Sequence, residues 1–79
     1  MKYRLEGMTV EAIDTYVRIT LGNGKVAVTK KECPKSIEVA QLLTEMQGFW
    51  PNPTQLQNCA RAASDARDNK EASALFLEG

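Results

Sequence analysis

From Tyr16 to Thr29, aliphatic and polar residues alternate on both sides of Gly22-Asn23-Gly24. Asn-Gly between two β-rich runs is the strongest short-range signal for a hairpin, because both central positions of a type I′ turn take positive φ. A two-residue loop at Asn23-Gly24 predicts that Leu21 faces Val26, Thr20 faces Ala27 and Ile19 faces Val28. In that register Val17, Ile19 and Leu21 share an aliphatic face with Val26 and Val28. Tyr16, Arg18, Thr20, Ala27 and Thr29 fall on the opposite, mostly polar face, which Lys25 and Lys31 extend.

Upstream, Tyr3 and Leu5 alternate with charged residues, as do Met8, Val10 and Ala12 with polar ones, but the parity changes at Gly7. This predicts one bulged strand over residues 2–13, or two short ones with a turn at Gly7. Asp14-Thr15 then turns into the hairpin. A two-stranded ribbon is marginal in water, so the extra strand is needed.

After Thr29 the alternation gives way to a charged stretch closed by Pro34. Ser36 is a suitable N-cap for a helix over 37–47, with Glu38 in its first turn. Val39, Leu42, Leu43 and Met46 form an apolar stripe at helical spacing. Gly48 stands where a left-handed residue ends a helix, and Phe49 where a following hydrophobe would pack back on Leu43. Asn52 as N-cap, Pro53 at the first helical position and Gln55 two further on announce a second helix, over 53–67. Its apolar face runs through Leu56, Cys59, Ala60, Ala63 and Ala66 and is made mostly of small residues. Around Asp68-Asn69-Lys70-Glu71 the period falters. Residues 69–77 then form a separate short helix or an extension, with a continuous long helix or a returning edge strand as alternatives.

The order of strands before helices predicts an α+β fold: an N-terminal three-stranded antiparallel sheet over 1–31, then two or three helices packed on its aliphatic face. All of 1–79 reads as one domain, since a chain this short buries only about 60–65% of its unfolded surface.

Charge and cysteine content narrow the chemistry. Ten basic residues balance ten acidic ones, which removes the simplest case for nucleic acid or an anionic membrane as partner. It also leaves little repulsion against a homodimer. The balance is uneven: residues 1–35 hold seven cations against four carboxylates, a net of +3, and 36–79 hold three against six, a net of −3. No apolar run reaches the roughly 18 residues of a membrane span, and the start of the chain lacks a signal-peptide apolar region. Cys33 and Cys59 are too few for a disulfide scaffold, so the expectation is a soluble, cytoplasmic protein with two reduced thiols.

There is no histidine, so a serine or cysteine triad lacks its usual base and a metal its commonest ligand. Neither cofactor nor metal is expected, and the chain reads as a non-enzyme. Cys33 lies near Lys30, Lys31 and Lys35, cations that would lower a thiol pKa. Its ordinary role is a structural thiol beside a solvated lysine cluster. Gly22-Asn23-Gly24-Lys25 lacks the spacing and following helix of a phosphate loop.

Two features carry a binding expectation. Phe49 and Trp50, stiffened by Pro51 and Pro53, form an aromatic corner suited to a protein partner; alternatively both rings fill the core. Tyr16 and Arg18 on the polar hairpin face, with Lys30, Lys31 and Lys35 nearby, offer the aromatic-plus-cation pattern of single-strand nucleic-acid binding. The expectation is therefore a protein–protein interaction module, an adaptor or an inhibitor acting by occlusion, of the kind common in phages and mobile elements. Nucleic-acid binding through the hairpin face is the alternative.

Overall fold

Four strands form an antiparallel meander in sequence order: β1 (Lys2–Leu5), β2 (Met8–Ile13), β3 (Tyr16–Leu21) and β4 (Val26–Val28). Two helices follow, α1 (Ser36–Gln47) and α2 (Pro53–Glu78). The structure, a computed structural model, describes the backbone of residues 1–78 and the side chains of 1–71. The class is α+β, with four strands rather than three and two helices.

The extra strand comes from residues 2–13, which divide at Glu6-Gly7 instead of bulging. Leu5 pairs with Met8 across that two-residue turn, where Gly7 takes φ 77°. Asp14, at φ 53°, bends β2 into β3, a conformation that Asp tolerates better than most residues.

The β3–β4 hairpin forms at the predicted place but in a different register. Gly24 N–H donates to Leu21 O at 3.0 Å and Leu21 N–H to Lys25 O at 2.8 Å, so the loop is the three residues Gly22-Asn23-Gly24. Gly24 alone among them is left-handed, at φ 89°, and Asn23 Oδ1 accepts from Lys25 N–H at 3.0 Å. This is the arrangement in which a turn is followed by a left-handed glycine bulge. One more loop residue reverses the parity of β4: Thr20 faces Val26, Ile19 faces Ala27 and Arg18 faces Val28. Val26 and Val28 therefore lie on the outer face, 56% and 53% exposed, and Ala27, not they, joins the aliphatic face. Lys25 and Thr29, two residues either side of Ala27, share its parity and do not extend the outer face.

That inner face is Met8, Val10, Ala12, Val17, Ile19 and Leu21, all buried. α2 lies across it, and α1 packs against α2. α2 does pack through small residues, but not all of those predicted: Cys59, Ala63 and Ala66 are buried in one cluster with Val39 and Leu43 of α1, and Ala62 joins them in place of Ala60, which the turn of the helix leaves exposed. Ser36 is the first residue of α1 rather than its cap, and the N-cap, Lys35, makes no side-chain capping bond. At the other end Gly48 is left-handed, φ 87°, and its N–H donates to Thr44 O at 2.8 Å.

The α2 start is the reciprocal box that its sequence predicts. Gln55 N–H donates to Asn52 Oδ1 and Asn52 N–H to Gln55 Oε1, each at 2.9 Å. The helix does not break at Asp68 but continues to Glu78, the long-helix alternative, in place of separate segments over 53–67 and 69–77. At about 1.5 Å per residue, its 26 residues nearly span the 43 Å long axis of the molecule. Asn69 ties it to the sheet by donating from Nδ2 to Asp14 O at 2.6 Å. Among the described residues no helix is long and apolar enough to cross a membrane.

Candidate functional site

The α1–α2 connector holds Phe49 and Trp50 outside the core. Phe49 is 59% and Trp50 51% exposed, while the next residue, Pro51, is buried. The local geometry follows from both helix ends. Gly48 turns the chain away from α1, Gln47 Nε2 donates to Phe49 O at 3.1 Å, and the Asn52–Gln55 box fixes the exit. Gln55 itself is only 7% exposed and donates from Nε2 to Gln47 Oε1 at 3.3 Å, linking the two helices beneath the corner. Neither ring belongs to the core cluster, to which α2 contributes only the small residues Cys59, Ala62, Ala63 and Ala66. Phe49 accordingly does not pack back into the core as the helix-end pattern predicts.

On the outer face of the sheet, Arg18 stands opposite Glu11 on β2. Arg18 donates from Nε to Glu11 Oε1 at 2.8 Å and also from Nη2 to the same oxygen. Lys2 Nζ lies 3.9 Å from Glu11 Oε2. These contacts, led by the Arg18 hydrogen bond, hold the Glu11 carboxyl below its ordinary pKa. Tyr16, half-buried, is on the same face two residues along. The remaining predicted cations go elsewhere. Lys30 lines a groove between β4 and α1 together with Glu32, Glu38 and Glu45, Lys31 is exposed, and Lys35 borders a separate groove against α2. The five residues Tyr16, Arg18, Lys30, Lys31 and Lys35 thus do not form one basic surface.

The groove at Lys35 was not legible as a unit. It brings Cys33, Lys35 and Ser36 together with Ser64, Arg67 and Lys70 of α2, in a volume of about 680 Å³. Arg67 and Lys70 share a helix face only because α2 is continuous; their spacing of three was the available signal.

On the inner face, Tyr3 Oη donates to Asp65 Oδ2 at 2.8 Å, with the Arg61 guanidinium 5.9 Å from its ring centroid. The hydrogen bond to Asp65, then burial, raises the Tyr3 pKa. Burial alone pushes the Cys59 thiol up to about 11, so it sits in the core as an inert hydrophobe. Among the described residues no three His, Cys, Asp or Glu side chains are grouped to hold a metal ion. Comparison with known proteins finds no matching family model, no matching curated protein and no matching solved structure.

Proposed function

We propose that this protein is a non-catalytic protein–protein interaction module, an adaptor or an inhibitor acting by occlusion, with Phe49 and Trp50 as its contact centre. The observation that carries this is the exposure of two adjacent aromatic rings, 59% and 51%, on a connector held at both ends. Tryptophan is strongly enriched among residues that dominate interface energies. A preorganised connector lowers the ordering cost that binding otherwise incurs. The only tryptophan in the chain is Trp50, so its fluorescence reports on this corner alone.

Nucleic-acid binding through the hairpin face has less support. Arg18 is already neutralised by Glu11, and Lys30 shares its groove with three carboxylates.

The experiment compares tagged wild-type protein with Trp50→Ala in source lysate, with and without nuclease treatment. Free wild-type protein should show red-shifted, readily quenched emission and should retain a stoichiometric protein that Trp50→Ala, still folded, loses. A blue-shifted, protected indole, or the same proteins retained by both forms, would overturn the proposal. Recovery that disappears on nuclease treatment would shift the function to nucleic acid.

A further inference from the structure

The groove between the loop preceding α1 and the flank of α2 has the charge, size and lining of a small-ligand site. Three cations from two separate elements border it: Lys35 from the loop, and Arg67 and Lys70 from one face of α2. Among the described lining residues Glu71 is the one carboxylate, so their positive charge exceeds their negative by two. Among the described residues both ion pairs are made to Glu11 on the far side of the sheet, so none of these three cations has a carboxylate within 4.0 Å there. Ser36 and Ser64 add hydroxyls, while Pro34, Ala60 and Ala63 supply an apolar stretch. Lys35, as N-cap of α1, offers no side-chain acceptor to the first-turn N–H groups beside it. The volume of about 680 Å³ lies within the range of small-molecule sites.

We propose that this groove binds a phosphate monoester carried on a small apolar or aromatic body. Arg67, with Lys35 and Lys70, holds the phosphate, and the body lies along Pro34, Ala60 and Ala63. A near-dianionic group with three terminal oxygens matches three separate cations, of which an arginine fork suits phosphate best. A carboxylate would leave one of the two excess positive charges without a counter-charge. Inorganic phosphate would leave the apolar stretch and most of the volume unused. The site is independent of the Phe49–Trp50 corner.

The two cysteines make the test specific. Cys59 is fully buried and its thiol is raised to about 11, whereas Cys33 is half-buried on the groove wall. A maleimide therefore reports on Cys33. The full chain is titrated with phenyl phosphate, and in separate arms with inorganic phosphate, sulfate and phenol. Readouts are Cys33 alkylation rate and amide NMR shifts.

Phenyl phosphate should protect Cys33 and shift amides of residues 35–37 and 64–70, with each of the other three compounds needing at least about tenfold higher concentration. Arg67→Ala should weaken phenyl phosphate binding by about tenfold, the scale of one hydrogen bond to a charged group. Lys31→Ala, which lies outside the groove, should leave it unchanged. Both variants alter exposed side chains, and an unchanged urea midpoint confirms that they fold. The proposal is overturned by equal affinity for phenyl phosphate, inorganic phosphate and sulfate, by full binding in Arg67→Ala, by shifts confined to other residues, or by no binding at millimolar ligand.

Discussion

The sheet–α2 interface and the rim around it treat the same kinds of side chain in opposite ways. In the core that this interface shares with α1, Val10, Val17, Ile19 and Leu43 have no exposed surface, and the polar Gln55 is bonded on both its oxygen and its nitrogen. No described buried side-chain nitrogen or oxygen lacks a partner. At the rim, Phe49 and Trp50 are more than half exposed, and Arg67 and Lys70 have no carboxylate partner among the described residues. Burial free energy scales with area removed from water, so a chain of 79 residues would be expected to place its indole inside. It does not, because α2 meets the sheet through alanine and cysteine. The difference separates side chains that hold the fold from those left free to meet another molecule.

The largest effect should come from exchanging the two regions' bulky residues for alanine. Leu43→Ala removes a fully enclosed side chain and should cost about 3 kcal/mol. Trp50→Ala should stay within about 0.5 kcal/mol, as surface changes usually do. Urea unfolding at one pH measures both. A loss above 2 kcal/mol for Trp50→Ala, on the scale of about 3 expected of core truncation, would return the indole to the core.

Overpacking sharpens the same contrast from the helix side. Ala62 is fully buried against the sheet, whereas Ala60 is exposed on the same helix. Ala62→Leu should destabilise by about 2 kcal/mol, since a close-packed interface has no room for three more carbons. Ala60→Leu should be nearly neutral. Equal costs for the two would mean that α2 does not approach the sheet through its small residues.

A smaller loss is expected at the seam between the regions. Gln55→Ala removes the reciprocal bond to Asn52 and the link to Gln47, and should cost about 1–2 kcal/mol. Because that link lies under the aromatic corner, the variant should also broaden or shift Trp50 emission while Leu43→Ala, corrected for unfolded fraction, should not. Fluorescence of the folded states distinguishes them.

How far each region could be read from sequence follows the range of the signals involved. Gly48 and the Asn52-Pro53-Gln55 run act within a few residues, so both helix ends beside the connector were legible. The hairpin was located by Asn-Gly, but Gly22-Asn23-Gly24 contains two loops, and only the identity of the left-handed residue separates them. The alternation of Val26 and Val28 favoured the two-residue loop, yet these valines stand on the solvent side of an edge strand. Asp68 to Glu71 resembles a break because every described α2 side chain beyond Ala66 is exposed; a solvated helix turn and a loop have the same polarity. With a break and a continuous helix both compatible with that polarity, nothing local placed Lys70 beside Arg67, nor either of them beside Lys35. The exposure of Trp50 depended on how closely α2 approaches the sheet, a tertiary quantity no local pattern encodes.

The smallest effect tests the charge half of the comparison, because Arg18 is what Arg67 would become with a carboxylate beside it. Glu11 accepts two hydrogen bonds from Arg18, and its folded-state pKa lies below the ordinary value chiefly for that reason. A carboxyl lowered on folding stabilises the folded state fully above its unfolded pKa, about 4.3, and loses that contribution as pH falls through the folded value. The Arg18 side chain is 43% exposed, so solvent screening limits the pair to about 0.5 kcal/mol. Glu11→Gln should therefore lower stability by that small amount at pH 7 and by progressively less below the unfolded value. High salt should shrink the difference at pH 7. Urea curves at pH 7 and at acid pH, each at low and high salt, measure it. A difference that persists unchanged in acid would show that Glu11 acts through packing rather than charge, and Arg18 would then be as available to an anion as Arg67.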